Sequence, residues 1–171
     1  RRLRDPGAIP ESEMWKWVRN EDKALRDILL GKSDHQPNLE AAWSAADLVG
    51  RSKVPTALKL LKSADPSERY WAILALRVAD YQDRDRVVGY LDDISAAVRL
   101  EAADWLAQGG KHREAALAGL VKELDHDDWW VALRACRAIE LLGKEARAAL
   151  PSMKDLYTRN RNKKGDGPFY L

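Results

Sequence analysis

The sequence contains a single cysteine, Cys136. One cysteine excludes a disulfide within the chain, and it leaves the cellular compartment open. No apolar run approaches the roughly 18 residues that a membrane-spanning helix needs. The formal net charge of the 171 residues is only +2, so overall charge does not favour nucleic acid or an anionic membrane as a partner. Hydrophobic residues make up 46% of the chain and charged residues 33%, a composition typical of a folded globular protein.

The sequence also lacks any long segment in which apolar and polar residues alternate, as they would in a half-buried strand. Instead, one helical pattern recurs four times, at intervals of 30, 30 and 33 residues. Its centre is marked by Ala42, Ala72, Ala102 and Ala135. Four positions later, on the same helix face, stand Ala46, Leu76, Leu106 and Ile139. Eight positions after the alanine, where the helix should end, stand Gly50, Asp80, Gly110 and Gly143.

The repeated pattern carries start and stop signals for its helices. Asp65 is a natural N-cap, and Pro66 is a natural first helical residue. A glycine after a helix predicts a turn with positive φ, because glycine adopts that conformation without steric strain. Asp80 occupies the same column, and aspartate tolerates positive φ better than most residues. A second amphipathic helix is predicted after each stop, in the segments KVPTALKLLKS, RDRVVGYLDD, REAALAGLVKELD and ARAALPSMKDLYT.

An earlier helix, predicted from about Glu11 to Leu30 and ending at Gly31, precedes the four copies. A helix pair of about 30 residues cannot bury its apolar faces alone, so such pairs stack on their neighbours. The sequence therefore predicts an all-α fold, an α-α superhelix of about four to five helix pairs.

The segments DPSERYWAILAL, ISAAVRLEAADWL and DDWWVALRACRAI resemble HEAT repeats, in particular the short and regular kind found in many bacterial proteins. The resemblance implies a right-handed solenoid of helix pairs. HEAT repeats often carry an Asp and an Arg that bond from one repeat to the next. Asp65 with Arg69 matches that pair, and Ser95 with Arg99 matches half of it. Because Ala132 occupies the arginine position of the last copy, the polar ladder is expected to break there.

The N-terminal stretch RRLRDPGAIPESEMWKW, together with DPSERYWA further on, is similar to the region that follows the catalytic domain in a large group of bacterial sulfatases. The resemblance implies a non-catalytic C-terminal domain that braces the catalytic domain, helps to shape its substrate cleft, or holds an oligomer together. Sulfatases form formylglycine in a C/S-x-P-x-R motif and bind calcium at an Asp-rich site. Neither feature occurs in this sequence, so calcium is expected only in the catalytic domain.

The resemblance also sets the expected domain organisation. No signal peptide is visible, and the sequence starts at Arg1 without an initiator methionine, so we expect a fragment of a longer protein. Residues 1–10 are expected to link it to an upstream domain, residues 11–157 to form the repeat domain, and residues 158–171 to be a C-terminal tail. The tail's basic run is expected to be solvated, with a sulfated glycan as the alternative ligand. Its final PFYL is expected to fold back onto the last helix pair, and the implied location is periplasmic or extracellular.

We predict no catalytic, cofactor-binding or metal-ligating residue in this chain. The segment DHDD at residues 125–128 has a composition typical of metal sites, but four adjacent residues at a helix start cannot all converge on one ion. Helix capping is therefore the preferred interpretation. Neither His35 nor His112 has a Ser or Cys at a spacing that suggests a nucleophile–base pair, which argues against a catalytic base. Cys136 lies in a predicted helix and is expected to be a small buried residue.

Tryptophan is abundant, with seven residues. By helical phase, Trp105 falls near the core, whereas Trp43 and Trp71 flank the core centre and are expected near one seam between repeats. Trp130 points furthest from the core, and the adjacent Trp129 cannot share its helix face. A contact surface is predicted at Trp15, Trp17, Trp129 and Trp130. The alternative is that the catalytic domain or the tail covers these side chains.

The expected partner is the upstream catalytic domain or another protein, with a homo-oligomer left open and neither nucleic acid nor a membrane expected. The first alternative function is a free-standing HEAT-type module that binds a protein on its concave face. A lyase that handles a bilin, which carries similar repeats, ranks last because the sequence offers no pocket residues for the chromophore.

Overall fold

A computed structural model of the chain describes residues 51–161 without a break, together with Asp27, residues 30–32 and residues 47–48. All regular elements in these residues are helices, and no strand occurs among them. The predicted all-α class is therefore confirmed for this part of the chain. Predictions outside the described residues concern most of the helix from Glu11 to Leu30, Trp15, Trp17, His35, Ala42, Trp43, Ala46, Gly50 and the tail from Asn162 onward.

The first compact unit, Arg1–Asp80, contains a 3₁₀ turn and two α-helices in its described part. They are the turn Arg51–Lys53, α1 (Val54–Leu60) and α2 (Pro66–Val78), and α1 packs against α2. Helix α2 begins as predicted. The Ser67 N–H donates to Asp65 Oδ1 at 2.8 Å, so Asp65 satisfies one of the free donors at the helix start.

The second compact unit, Tyr81–Leu171, contains two 3₁₀ helices and four α-helices in its described part. In chain order they are the 3₁₀ helix Arg84–Asp92, α3 (Ala96–Ala107), α4 (Arg113–Glu123), α5 (Trp129–Leu142), the 3₁₀ helix Gly143–Ala149 and α6 (Leu150–Asn160). Helix α3 lies against the first 3₁₀ helix, α4 and α5, so it is a central element of this unit. The second 3₁₀ helix contacts α4, α5 and α6.

Two segments predicted as α-helix are wholly or partly 3₁₀, and those parts of the prediction are wrong. In RDRVVGYLDD, the weak α-helix formers Val87, Val88 and Gly89 lie at the centre and disfavour a regular α-helix, and the segment is a 3₁₀ helix instead. In ARAALPSMKDLYT, the α-helix begins only at Leu150. Pro151 fits the first turn of this helix, whereas a proline further inside a helix would clash with a carbonyl of the preceding turn. The preceding 3₁₀ helix is kinked at Ala146, where φ is −99° and ψ is 16°.

Two columns of the repeat are buried, as the pattern predicts. The alanine column and the column one helical turn later supply Ala72, Ala102, Ala135, Leu76, Leu106 and Ile139 to the core. Trp105 is buried as well, in agreement with its helical phase. Because side chains at positions i and i+4 share one face, these two columns form a narrow apolar stripe on each helix.

Backbone φ is positive at each described position of the predicted stop column. The angles are +54° at Asp80, +81° at Gly110 and +57° at Gly143. The stop predicted at Gly31 is also confirmed, with φ at +65° and a 2.7 Å bond from the Lys32 N–H to the Asp27 carbonyl. That bond is typical of a Schellman motif, which satisfies a free carbonyl at a helix end.

The Gly143→Ala variant is expected to lose about 1–3 kcal/mol of unfolding free energy, because a side chain disfavours this backbone conformation. The position has φ +57° and ψ −126°, and a Cβ atom there would meet no heavy atom within 4 Å. The cost is therefore conformational rather than steric. Urea denaturation measures it, with Gly89→Ala as the control, since that glycine has open space and no positive φ. Equal losses in the two variants would contradict this account.

Candidate functional site

The predicted contact residues Trp129 and Trp130 are the first two residues of α5, and their indoles stack on each other. The ring centroids lie 3.9 Å apart, with 29° between the ring planes. Consecutive helical residues leave the axis about 100° apart, but the long indoles bridge that angle at the helix start. Both side chains are partly buried, and the Trp130 Nε1 atom is buried without a hydrogen-bond partner. The two rings therefore form one aromatic surface, which the sequence analysis did not foresee.

The acidic segment before these tryptophans caps α5, as predicted, and also pairs with α6. Asp128 Oδ1 accepts from the Trp130 N–H at 2.8 Å, which makes Asp128 the N-cap. The Asp128 N–H in turn donates to His126 Nδ1 at 2.9 Å. Asp125 pairs with Arg159 of α6 at 2.5 Å. These groups are aimed at different partners rather than at one ion.

A second site, missed by the sequence analysis, is an open cleft of about 440 Å³ in the second unit. Two turns line it, one before the first 3₁₀ helix and one between α3 and α4. The lining residues are Gln82, Asp83, Arg84, Asp85, Gly109, Gly110, Lys111 and His112. The lining is polar and contains no Ser, Thr or Cys side chain, so it presents no hydroxyl or thiol nucleophile.

The charged groups of this cleft meet at Asp85. Its carboxylate contacts His112 Nε2 at 2.6 Å and Lys111 Nζ at 2.7 Å. The hydrogen bonds from His112 and then from Lys111 are the main reasons why the pKa of Asp85 lies below its ordinary value of 3.8. His112 is the residue that precedes α4 and lacks a side-chain capping bond. The arrangement ties the first 3₁₀ helix to the start of α4.

Arg84 closes the inner side of the cleft. Its guanidinium donates to the carbonyls of Trp105 and Gly109, at 3.2 and 3.4 Å, near the end of α3. It also lies over the Trp105 ring, 5.7 Å from the centroid. A Cβ atom at Gly109 would come within 2.9 Å of Arg84 Nη1. Glycine at that position therefore makes room for a cation at the negative end of the helix dipole.

Two buried carboxylates are held by arginines from other elements of the second unit. Arg99 of α3 binds both oxygens of Glu123, at 2.6 and 3.0 Å, and the hydrogen bond to Glu123 raises the pKa of Arg99. Arg134 of α5 lies 3.5 Å from Glu101 of α3. Glu101 and Glu123 are both buried. Since an isolated buried charge is costly, these pairs constrain how the helices pack.

The Asp85→Asn variant is expected to be less stable than the wild type at pH 6, with a smaller difference at pH 3. A carboxylate whose pKa is lowered by folding stabilises the protein above its unfolded-state pKa, and that contribution is lost as pH falls through the folded-state value. Thermal unfolding at the two pH values measures the change. Asp92→Asn, at another exposed aspartate, is the control. A difference that stays the same at pH 3 would contradict the prediction.

Within the described residues, no cluster of three His, Cys, Asp or Glu side chains is arranged to hold a metal ion. In the same part of the chain, no helix combines the length and apolar character that crossing a membrane requires.

Cys136 is partly buried in α5, and this burial raises the pKa of its thiol.

The sequence carried one signal for the Asp85 cleft. The turns that line it adjoin two successive positions of the stop column in the sequence, Asp80 and Gly110. The side chains that meet there are 26 and 27 residues apart along the chain, and no local pattern joins them.

No family model matches this sequence, and comparison with curated proteins and with solved structures gives no significant match. The resemblances to HEAT repeats and to the C-terminal region of sulfatases therefore stay predictions.

Proposed function

We propose that this chain is a non-catalytic helical-repeat scaffold, the HEAT-like C-terminal region of a bacterial sulfatase. It braces the catalytic domain or holds an oligomer together. The proposal combines the sequence motifs RDPGAIPESEM and DPSERYWA with one structural observation, a hydrogen-bond pattern that recurs after 30 residues.

The recurring pattern is centred on Arg69 in α2 and Arg99 in α3. Arg69 Nη1 donates to the carbonyls six and five residues earlier, at 2.8 and 2.9 Å. Arg99 Nη1 donates to the carbonyls at the same two offsets, at 2.8 and 3.1 Å. The residue eleven positions after each arginine has a positive φ, and these residues are Asp80 and Gly110. The same start and stop chemistry at a fixed interval is the expected signature of a tandem helical repeat.

Arg69 and Arg99 each cap the turn that leads into their own helix. This capping fixes the angle at which each new helix leaves the previous one, because the turn carbonyls are satisfied by a rigid planar donor. A superhelix of stacked pairs, with the buried Arg–Glu pairs setting the packing in the second unit, is the arrangement that we propose on this basis.

The gene sequence upstream of the codon for Arg1 provides the first test. An in-frame C/S-x-P-x-R motif followed by an Asp-rich region is the result expected from the proposal. A stop codon directly upstream, or an unrelated domain, would overturn the sulfatase assignment. If the motif is found, the scaffold role is tested by producing the catalytic domain with and without residues 1–171. The expected result is a lower melting temperature of the catalytic domain in the shortened protein.

The stacked pair Trp129 and Trp130 favours a second candidate function, a free-standing module that binds another protein. Tryptophan is enriched among the residues that contribute most to protein–protein binding. The candidates are distinguished by a Trp130→Ala variant, which removes one ring of the stacked pair. Weaker capture of a partner by this variant, with unchanged thermal stability, would support the binding module.

A further inference from the structure

The last described helix, α6, is buried on one side and carries two large exposed apolar side chains on the adjoining flank. Leu156 and Asn160 are buried, whereas Leu150 and Tyr157 are each more than half exposed. Seven residues correspond to almost two full turns, so Leu150 and Tyr157 lie only about 20° apart around the helix axis. They form one exposed apolar stripe on the flank of the packed side, about 60–120° around the axis from Leu156 and Asn160, with Lys154 between them in the chain.

The residues that follow α6 carry a short apolar segment that matches this stripe in size. After Arg161 come the basic and turn-forming residues NKKGDGP, and then Phe169, Tyr170 and Leu171. The order Gly-Asp-Gly-Pro favours a reversal of the chain, because glycine and proline supply the backbone angles of tight turns. Phe169 is the single phenylalanine of the protein.

The length of the connection allows this segment to return to α6. Tyr157 precedes Arg161 by one helical turn, which corresponds to about 6 Å along the axis. Each extended residue spans up to roughly 3.3 Å, so a reversal between Gly165 and Pro168 leaves enough chain to bring Phe169 beside Tyr157. Because the segment is covalently attached, its effective concentration at the stripe is of millimolar order. A second copy of the chain at micromolar concentration competes poorly with it.

We propose that Phe169–Leu171 docks on the Leu150–Tyr157 stripe of α6 and covers this face of the helix. The occupant is this chain's own tail, and the contact is apolar. The tail thereby protects an apolar helix face that would otherwise be free to bind other proteins or further copies of the chain. This proposal does not depend on the sulfatase assignment.

Disulfide formation between introduced cysteines tests the docking in the full-length chain, with Cys136→Ser as the background. The test pair is Tyr157→Cys with Phe169→Cys. The matched control is Asp155→Cys with Phe169→Cys, because position 155 lies on the same helix but about 160° away from position 157. Under mild oxidation, the test pair is expected to form an intramolecular disulfide roughly tenfold faster than the control pair.

Three results of the disulfide experiment would overturn the proposal. Equal rates for the two pairs would mean that the tail samples all sides of α6. Disulfide-linked dimers as the main product of the test pair would place the tail on a second copy. No disulfide in either pair would mean that the tail does not approach the helix.

A thermal double-mutant cycle checks the same contact without cysteines. Tyr157→Ser and removal of Phe169–Leu171 are each expected to lower the melting temperature by about 4 °C. The combined variant should show almost no further loss, because both changes remove one shared contact. Additive losses would overturn the proposal. Lys163→Ala is the control within the tail, and it should leave the melting temperature unchanged.

Discussion

Replacing Arg99 by alanine is expected to lower the free energy of unfolding by about 3 kcal/mol, because the buried Glu123 carboxylate loses its charged partner. In the wild type the guanidinium holds both carboxylate oxygens, at 2.6 and 3.0 Å. It also donates to the carbonyls of Asp93 and Ile94 in the turn before α3. The variant therefore loses a helix-to-helix link and a cap in one change. Urea denaturation followed by circular dichroism at pH 7 measures the loss.

Two further variants separate this effect from a general effect of removing an arginine. Arg137→Ala removes the exposed pair with Glu140, and such surface pairs contribute at most about 1 kcal/mol. The double variant Arg99→Met, Glu123→Leu replaces the buried pair by apolar groups and is expected to recover most of the stability, since no buried charge stays unpaired. If Arg99→Ala costs no more than Arg137→Ala, the buried pair does not stabilise the fold as we infer.

Replacing Ile139 by alanine is expected to lower the free energy of unfolding by about 2–4 kcal/mol, through lost apolar contacts and a cavity that the surrounding helices cannot fill. Ile139 stands in the buried column one turn after the alanine column, and its side chain is only 5% exposed. The variant tests whether this column carries the stability that the repeat pattern assigns to it. Urea denaturation at pH 7 measures the effect.

Ile94→Ala is the matched control, because it removes the same atoms from a side chain that is 91% exposed in the same unit. Its effect is expected to stay within about 0.5 kcal/mol, as is usual for surface positions. A loss of similar size in both variants would contradict the burial of Ile139. A negligible loss in Ile139→Ala would mean that the surrounding helices relax to fill the space.

The ends and buried faces of the described helices follow from short stretches of sequence. Asp65 caps α2, and Gly110 and Gly143 take positive φ, because each depends on backbone groups within a few residues. The burial of Ala102 and Leu106 is equally local in origin, since helical periodicity alone puts the two side chains on one face. The all-α class was therefore predictable from patterns read a few residues at a time.

The candidate site was predictable only in part. Trp129 and Trp130 were identified as unusual, but their stacking depends on how far the indoles bend around the first turn of α5. The helix periodicity specifies where a side chain leaves the axis and not which rotamer it adopts. The 3₁₀ geometry between Arg84 and Asp92 was missed for a related reason, since α and 3₁₀ helices differ only slightly in backbone angles.

Within the described residues, the sequence by itself determined the all-α class, the helix start at Asp65, the stops at Asp80, Gly110 and Gly143, and the columns that become buried. The tertiary structure alone decided which charged groups meet. Asp85 with His112, and Arg99 with Glu123, are 27 and 24 residues apart, and many other pairings of Arg, Lys, Asp and Glu were compatible with the same helices. Ion pairs have no sequence periodicity, and their partners are selected by the packing of apolar faces. The network that ties the helices of the second unit together therefore becomes defined only when those faces have packed.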